Sequence, residues 1–343
     1  MQPASVAQLP EVVKTTDLQA NYVTGMAPDV NRIFQDSKGI YWFGTNTGAY
    51  RYDGKHLARF TTKDGMTQDQ VLDIQEDGSG NIWFSTGGYG VDRFDGQHIT
   101  AYKVGENGLP VVPIGKGPQA DAGDVWFAAG GGAFRYRQYS LSYLPFSVGE
   151  GASTSAPLPP YLFSTYGVYV TFKDSKGGIW FGTQSMGVCR YDGRNFTWLS
   201  GKGLNGAAMR AIWEDRDGVL WFGNNGKGLV RYDGSTLTNI TDEAGLGNPE
   251  FFRSGRSGPS SLARVWAITE DRDGNLWIGT YDAGIWRYNE RELKQYTTKE
   301  GLPDLAVQAL LIDRDGKLWV GTKKGGLSIF DGKGFSPFNF AVE

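Results

Sequence analysis

Asp271-Arg272-Asp273-Gly274-Asn275-Leu276-Trp277-Ile278-Gly279-Thr280 decides the fold. Its first four residues read as a tight turn, where an Asp side chain bonds the turn backbone and Gly accepts φ > 0. Large apolar side chains then follow one another without alternation, as they do in Ile82-Trp83-Phe84. A strand of that kind is buried on both faces of its sheet. The pattern Asp-x-x-Gly-x-apolar-Trp-apolar-Gly-Thr recurs with its Trp at 42, 83, 126, 180, 221, 277 and 319, which makes seven copies. Self-similarity at this period is the mark of a repeat architecture.

Each copy continues into a second block, as in Arg51-Tyr52-Asp53-Gly54, Arg93-Phe94-Asp95-Gly96, Arg190-Tyr191-Asp192-Gly193 and Arg231-Tyr232-Asp233-Gly234, with looser versions at Arg135-Tyr136, Arg287-Tyr288-Asn289 and Phe330-Asp331-Gly332. A third, aromatic block closes it, as in Leu57-Ala58-Arg59-Phe60. One copy is thus four short strands: a (Val71 to Glu76), b (Ile82 to Ser85), c (Val91 to Phe94) and d (Ile99 to Lys103). Seven such units stacked face to face give an all-β fold, a single seven-bladed β-propeller of four antiparallel strands per blade over residues 28–343. Residues 1–27 are a lead. Its stretch Val12-Val13-Lys14-Thr15-Thr16-Asp17 resembles strand d at Arg59-Phe60-Thr61-Thr62-Lys63-Asp64, and is expected to pair at the edge of the last blade as a clasp.

Composition agrees: 50 Gly, 11 Trp, 17 Tyr and 19 Phe in 343 residues mean many turns and many aromatic strands. A net charge of −3 with interspersed signs gives no field for a phosphate backbone and no polybasic segment, so no nucleic acid and no membrane insertion are expected. No apolar run approaches the roughly 20 residues a bilayer needs. Met1–Gln8 lacks a basic and then apolar leader, although a Pro/Ala/Ser-rich start also suits a secreted chain stripped of its signal. Cys189 is the single cysteine and His56 and His98 the two histidines, too few for a Cys/His zinc site. Asp-x-Asp-Gly is half of a calcium loop, but no bidentate acid stands where such a loop needs one; the turn reading is preferred, and no cofactor is expected.

Repeats such as Val265-Trp266-Ala267-Ile268-Thr269-Glu270 running into the stretch quoted first, then Gly284-Ile285-Trp286-Arg287-Tyr288, resemble the two-component regulator propeller family over roughly residues 28 to 340. The resemblance implies an extracytoplasmic sensory role, periplasmic or extracellular, of the kind that precedes bacterial hybrid histidine kinases. The usual plan has two propellers, an immunoglobulin-like domain and a membrane span. This sequence reads as one propeller with no membrane span, kinase or response-regulator segment.

In such a blade the d-to-a connections and b-to-c loops share one face, and function is expected there. Trp-to-Trp intervals of 41, 43, 54, 41, 56 and 42 place two insertions before blades 4 and 6, near 145–166 and 245–262. They either wall a pocket at the pore mouth or are plain solvent loops. Phe251, Phe252 and Arg253 in the second suit stacking on a sugar or an aromatic ligand. The b-to-c loops add Gln184, Asn224, Asn225, Lys227, Tyr281 and Asp282, and the starts of strand a add Arg32, Asp73, Arg210 and Arg264. This polar rim suits a small-molecule or oligosaccharide ligand. Two alternatives stand beside it: a polysaccharide or lactone lyase with Tyr281 and Arg264 as its catalytic pair, and a scaffold for a protein partner. His56 and His98 repeat one c-to-d turn position on the opposite face and read as structural, as does Cys189 in strand c.

Overall fold

The computed structural model describes residues 12–17 through their backbone, and residues 21–87, 90–102, 123–137, 140–146, 166–199, 204, 208–248, 250, 258 and 260–341 in full or nearly so. Blade 1 is β2 (Val30–Gln35), β3 (Tyr41–Thr45), β4 (Gly48–Tyr52) and β5 (Leu57–Phe60). Blade 2 is β6 (Val71–Glu76), β7 (Ile82–Thr86), β8 (Val91–Phe94) and β9 (His98–Tyr102). Blade 3 shows β10 (Val125–Ala129), β11 (Gly132–Arg137) and β12 (Ser140–Pro145); the stretch that precedes them, 103–122, lies outside the described residues. Blade 4 is β13 (Val168–Lys173), β14 (Ile179–Thr183), β15 (Val188–Tyr191) and β16 (Phe196–Leu199). Blade 5 is β17 (Met209–Glu214), β18 (Leu220–Asn224), β19 (Gly228–Tyr232) and β20 (Leu237–Asn239), followed by the short helix α1 (Ile240–Glu243). Blade 6 is β21 (Val265–Glu270), β22 (Leu276–Thr280), β23 (Ile285–Tyr288) and β24 (Leu293–Tyr296), and blade 7 is β25 (Val307–Ile312), β26 (Leu318–Thr322), β27 (Leu327–Phe330) and β28 (Phe335–Pro337). Within each blade the described strands are antiparallel and follow chain order, so this is the seven-bladed propeller expected from the repeats.

The second strand of each blade carries the packing. β7, β14, β18, β22 and β26 are buried at all five positions. Each repeat Trp reaches across to the next blade: Trp42 to Phe84 and Phe94, Trp83 to Phe127 and Tyr136, Trp126 to Phe181 and Tyr191, Trp180 to Phe222 and Tyr232, Trp221 to Tyr288, Trp277 to Phe330, and Trp319 back to Tyr41 and Phe43, at centroid separations of 4.1–6.3 Å. Each such pair is worth about 0.5–1.5 kcal/mol beyond its burial. The indole N–H of six of these Trp donates to the turn Asp six residues earlier (Asp36, Asp77, Asp174, Asp215, Asp271 and Asp313) at 2.7–2.9 Å. The same carboxylates accept backbone N–H groups of their own turns, such as Lys38 and Ile40 on Asp36. Trp126 is the exception, its Nε1 buried without a partner, and a buried Arg135–Asp124 pair stands beside it instead.

Blades are also latched edge to edge. Glu76, Glu214 and Glu270 end the inner strands of blades 2, 5 and 6 and accept from the backbone and side chain of Ser37, Ser175 and Arg216 in the preceding blade. Close approach demands glycine in the second strand: a Cβ on Gly223 would lie 2.6 Å from Val265 Cγ1 of the next blade.

Ring closure departs from the expectation. β1 (Val12–Asp17) pairs with β9 as a fifth strand on blade 2, and among the described residues no further strand pairs at the outer edge of blade 7. Asn21 and Val23 bond Arg59 and Leu57 along the outer edge of blade 1. The step from Asp17 to Asn21 spans roughly 14 Å at most, so only a neighbouring blade is within reach. The outer strand of blade 7 is three residues long and ends in Pro337, a poor template, whereas β9 offers five residues. The seam between blades 7 and 1 is closed by side chains. Tyr41 Oη donates to Asp313, Arg314 donates to the carbonyls of Asp36 and Ser37, and Phe338 and Phe340 pack edge-on against Tyr52 and Phe43.

Candidate functional site

The inner strand of a blade carries a β-bulge straight after its first residue: the register slips between Val30 and Arg32, Val71 and Asp73, Val168 and Val170, Met209 and Ala211, Val265 and Ala267, and Val307 and Ala309. A bulged residue makes no ladder pair and its side chain is re-aimed. These residues are Asn31, Leu72, Tyr169, Arg210, Trp266 and Gln308, one for each of the six blades whose inner strand is described, on the face of the d-to-a connections. A second ring is set by a repeated backbone bond. The first residue of the b-to-c loop donates its N–H to the chain entering the inner strand, as Gln184 does to Gly167, Asn225 to Ala208, Tyr281 to Arg264 and Lys323 to Ala306.

On the arc of blades 4 to 7 the two rings merge into one stack. The Arg210 guanidinium lies 3.7 Å from the Tyr169 ring and 4.7 Å from the Trp266 ring, sandwiched between blades 4 and 6. Trp266 continues onto Tyr281 at 4.4 Å, and its indole N–H donates to Asn225 at 3.2 Å. Arg264 lies 4.2 Å from the Tyr281 ring, donates to Asn225 at 2.9 Å and pairs with Asp282 at 3.1 Å. The Lys323 ammonium donates to the Tyr281 hydroxyl. Burial lowers the Arg210 pKa from its ordinary value; the Arg264 charge adds to the fall, and Tyr169 and Tyr281 oppose it.

Arg210, Asn225, Arg264, Tyr281 and Asp282 are therefore brought together on this arc. Arg32 and Asp73 form their own 3.0 Å ion pair on blades 1 and 2, on the other arc. Asn224 is not on the rim. It is fully buried, ending β18 where five of the other six blades place a Thr; its amide donates to Met209 Sδ and its oxygen accepts from the Lys227 N–H, so it holds the turn. Lys227 is exposed, and Gln184 is half-buried with Oε1 unbonded. Phe251, Phe252 and Arg253, like most of both insertions, lie outside the described residues. The base of the second insertion is pinned, with the Leu262 N–H donating to the Leu246 carbonyl and Gly226 to Ala263. That anchorage carries Arg264 against the blade 5 loop.

Tyr169, Trp266 and Lys323 were missed. The signal was present: aligned copy by copy, the second position of the inner strand differs in every described blade, while the position before it is Val or Met throughout.

His56 and His98 sit in c-to-d turns, each beside the turn Asp, on the opposite face. That face also holds a cleft of about 770 Å³ between blades 1 and 2, bordered by Tyr22 and His98, which is the seam beneath the N-terminal lead. Among the described residues no three His, Cys, Asp or Glu are grouped to hold a metal ion, and no helix is long and apolar enough to cross a membrane.

No curated protein matches the chain by sequence. The two component regulator propeller profile matches residues 17–47, 65–88, 259–282 and 301–324. Among solved structures, the extracellular domain of a hybrid two component system from B. thetaiotaomicron superposes with a TM-score of 0.65 at 17% identity, over 89% of this chain and 40% of that one. The chain thus spans about two fifths of the length of that extracellular domain. Virginiamycin B lyase from Staphylococcus aureus gives 0.63 at 16% identity over 92% and 97%. PorZ, a surface component of the type-IX secretion system of Porphyromonas gingivalis, gives 0.62 at 20% over 90% and 47%. Likeness at these identities speaks for the fold alone. Taken together, the chain is a β-propeller in which four stretches, at both ends of the ring, are similar to two component regulator propeller repeats.

Proposed function

We propose that the chain is a ligand-binding, sensor-like propeller that takes a small molecule or an oligosaccharide at the mouth formed by blades 4 to 6. One observation carries the reading: Tyr169, Arg210, Trp266 and Tyr281 form a continuous stack on bulges and loop starts, where no fold-building ladder bond needs them. Ring faces held rigidly beside polar groups such as Asn225 and Asp282 suit a sugar ring or a flat ligand. The extracellular sensor domain and the surface component among the structural neighbours support a place outside the cytoplasm, periplasmic or extracellular.

A lyase on the same face is the second reading, favoured by the contact that sets the Lys323 ammonium against the hydroxyl of Tyr281, the candidate base. Arg264, which such a reaction would need on a substrate carboxylate, is already bound to Asp282 and Asn225 with 13% of its side chain exposed. The test is a melting screen of the chain against neutral and acidic oligosaccharides, with ultraviolet absorbance of unsaturated product followed in parallel. A melting shift without product, lost in Trp266→Ala, is the expected result. Product formation would replace the binding reading by the lyase, and silence in both channels would move the weight to a protein partner.

A further inference from the structure

We propose that Arg210 is an anion receptor and that the ligand of the mouth carries a carboxylate; this rests on the binding reading above. The Arg210 guanidinium has Tyr169 on one face and Trp266 on the other, which leaves only its N–H edges to bond. Nε is buried and bonds nothing, and no carboxylate pairs with the group among the described residues. Its neighbour Arg264 is balanced by Asp282, and elsewhere in the ring Arg32 is balanced by Asp73, Arg190 by Asp174 and Arg135 by Asp124. A buried cation without a counter-charge is costly, and two ring contacts of about 0.5–2 kcal/mol each offset only part of that. What fits an edge of a flat, five-donor fork is a planar pair of acceptor oxygens. On the same face Gln308, at the bulge of blade 7, and Gln184 each bury an Oε1 with no donor. A ligand with hydroxyl donors beside its carboxylate, such as an acidic sugar or a hydroxy acid, suits such a mouth.

The test compares the full chain with Arg210→Met and Trp266→Ala, using glucuronate and glucose as probes at matched ionic strength, by melting and by calorimetry. Arg210→Met without ligand is expected to melt no lower than the parent, because it removes an unpaired buried charge while its stem keeps the rings apart. Glucuronate is expected to stabilise the parent more than glucose does, and Arg210→Met to weaken glucuronate by about 10- to 100-fold, the range for a lost charge-assisted bond. The proposal is overturned if Arg210→Met melts well below the parent, since the arginine is then a structural pin. It is equally overturned if parent and variant respond alike to glucuronate, or if the parent responds to no carboxylate. Loss of neutral sugars in Trp266→Ala with Arg210→Met unaffected would keep the mouth and reject the anion. Glucuronate lost in Arg210→Met and kept in Trp266→Ala would keep the anion and reject the stacked mouth.

Discussion

Replacing Asp313 by Ala should open the seam of the ring. One oxygen of its buried carboxylate accepts from Trp319 Nε1 at 2.7 Å and from Tyr41 Oη of blade 1 at 2.8 Å; the other accepts the N–H groups of Asp315 and Lys317 at 2.9 Å each. The turn N–H groups regain water in the variant. The indole and the phenol, packed on each other at 4.7 Å, do not. At about 1.5–3 kcal/mol for each bond to a charged group, and less than additive because the two share one oxygen, the loss is about 3–5 kcal/mol. Urea unfolding at pH 7 should show it as a lower midpoint at unchanged slope. Asp331→Ala, in an exposed turn of the same blade, should shift the midpoint little. Burial alone would raise the Asp313 pKa, but the bonds from Trp319, Lys317, Tyr41 and Asp315 outweigh it and the native value is lowered. A lowered native pKa contributes stability above the unfolded value of about 3.9 and loses it as pH falls through the native one. The gap between parent and Asp313→Asn should therefore close below about pH 4. An Asp313→Ala midpoint within about 0.5 kcal/mol of the parent, or a gap that persists in acid, would refute the account of the seam.

Gly223→Ala should cost about 1–3 kcal/mol by overpacking against Val265 and Ala211, while Gly25→Ala, with nothing within 4 Å, should leave thermal unfolding unchanged. Joint replacement of Phe338 and Phe340 by Ala should speed hydrogen exchange first in β2 and β25, the inner strands on either side of the seam, whereas deletion of residues 1–17 should leave those strands protected. Cys189 is buried in β15 and its thiol pKa is pushed well up by desolvation, so a thiol reagent should label it only after unfolding.

The ring was readable because the physics of one blade is written seven times. A strand buried on both faces cannot alternate, so Ile82-Trp83-Phe84 announces stacked sheets without an alignment. The second role of the turn Asp was less visible. Its spacing of six from Trp is constant, but only the antiparallel fold-back lays the indole N–H over the carboxylate. The clasp was misassigned because likeness to strand d says that Val12–Asp17 makes an edge strand without saying whose; edge length and the tether at Asn21 decide that. At the mouth, Arg210, Arg264 and Tyr281 were picked out as loop-end polar residues. The stack that joins them was not, since Tyr169 and Trp266 read as ordinary strand aromatics until the bulge turns them outward.

That bulge separates two kinds of selection. The ladder resumes one residue later whatever side chain occupies the bulge, so Asn, Leu, Tyr, Arg, Trp and Gln are all accommodated on one backbone. Mutations there are hardly screened by what the ring needs to stand. A lineage that duplicates blades thus inherits with each copy one position free to drift, and the character of the mouth can change by point substitutions with the aromatic ring of tryptophans left untouched.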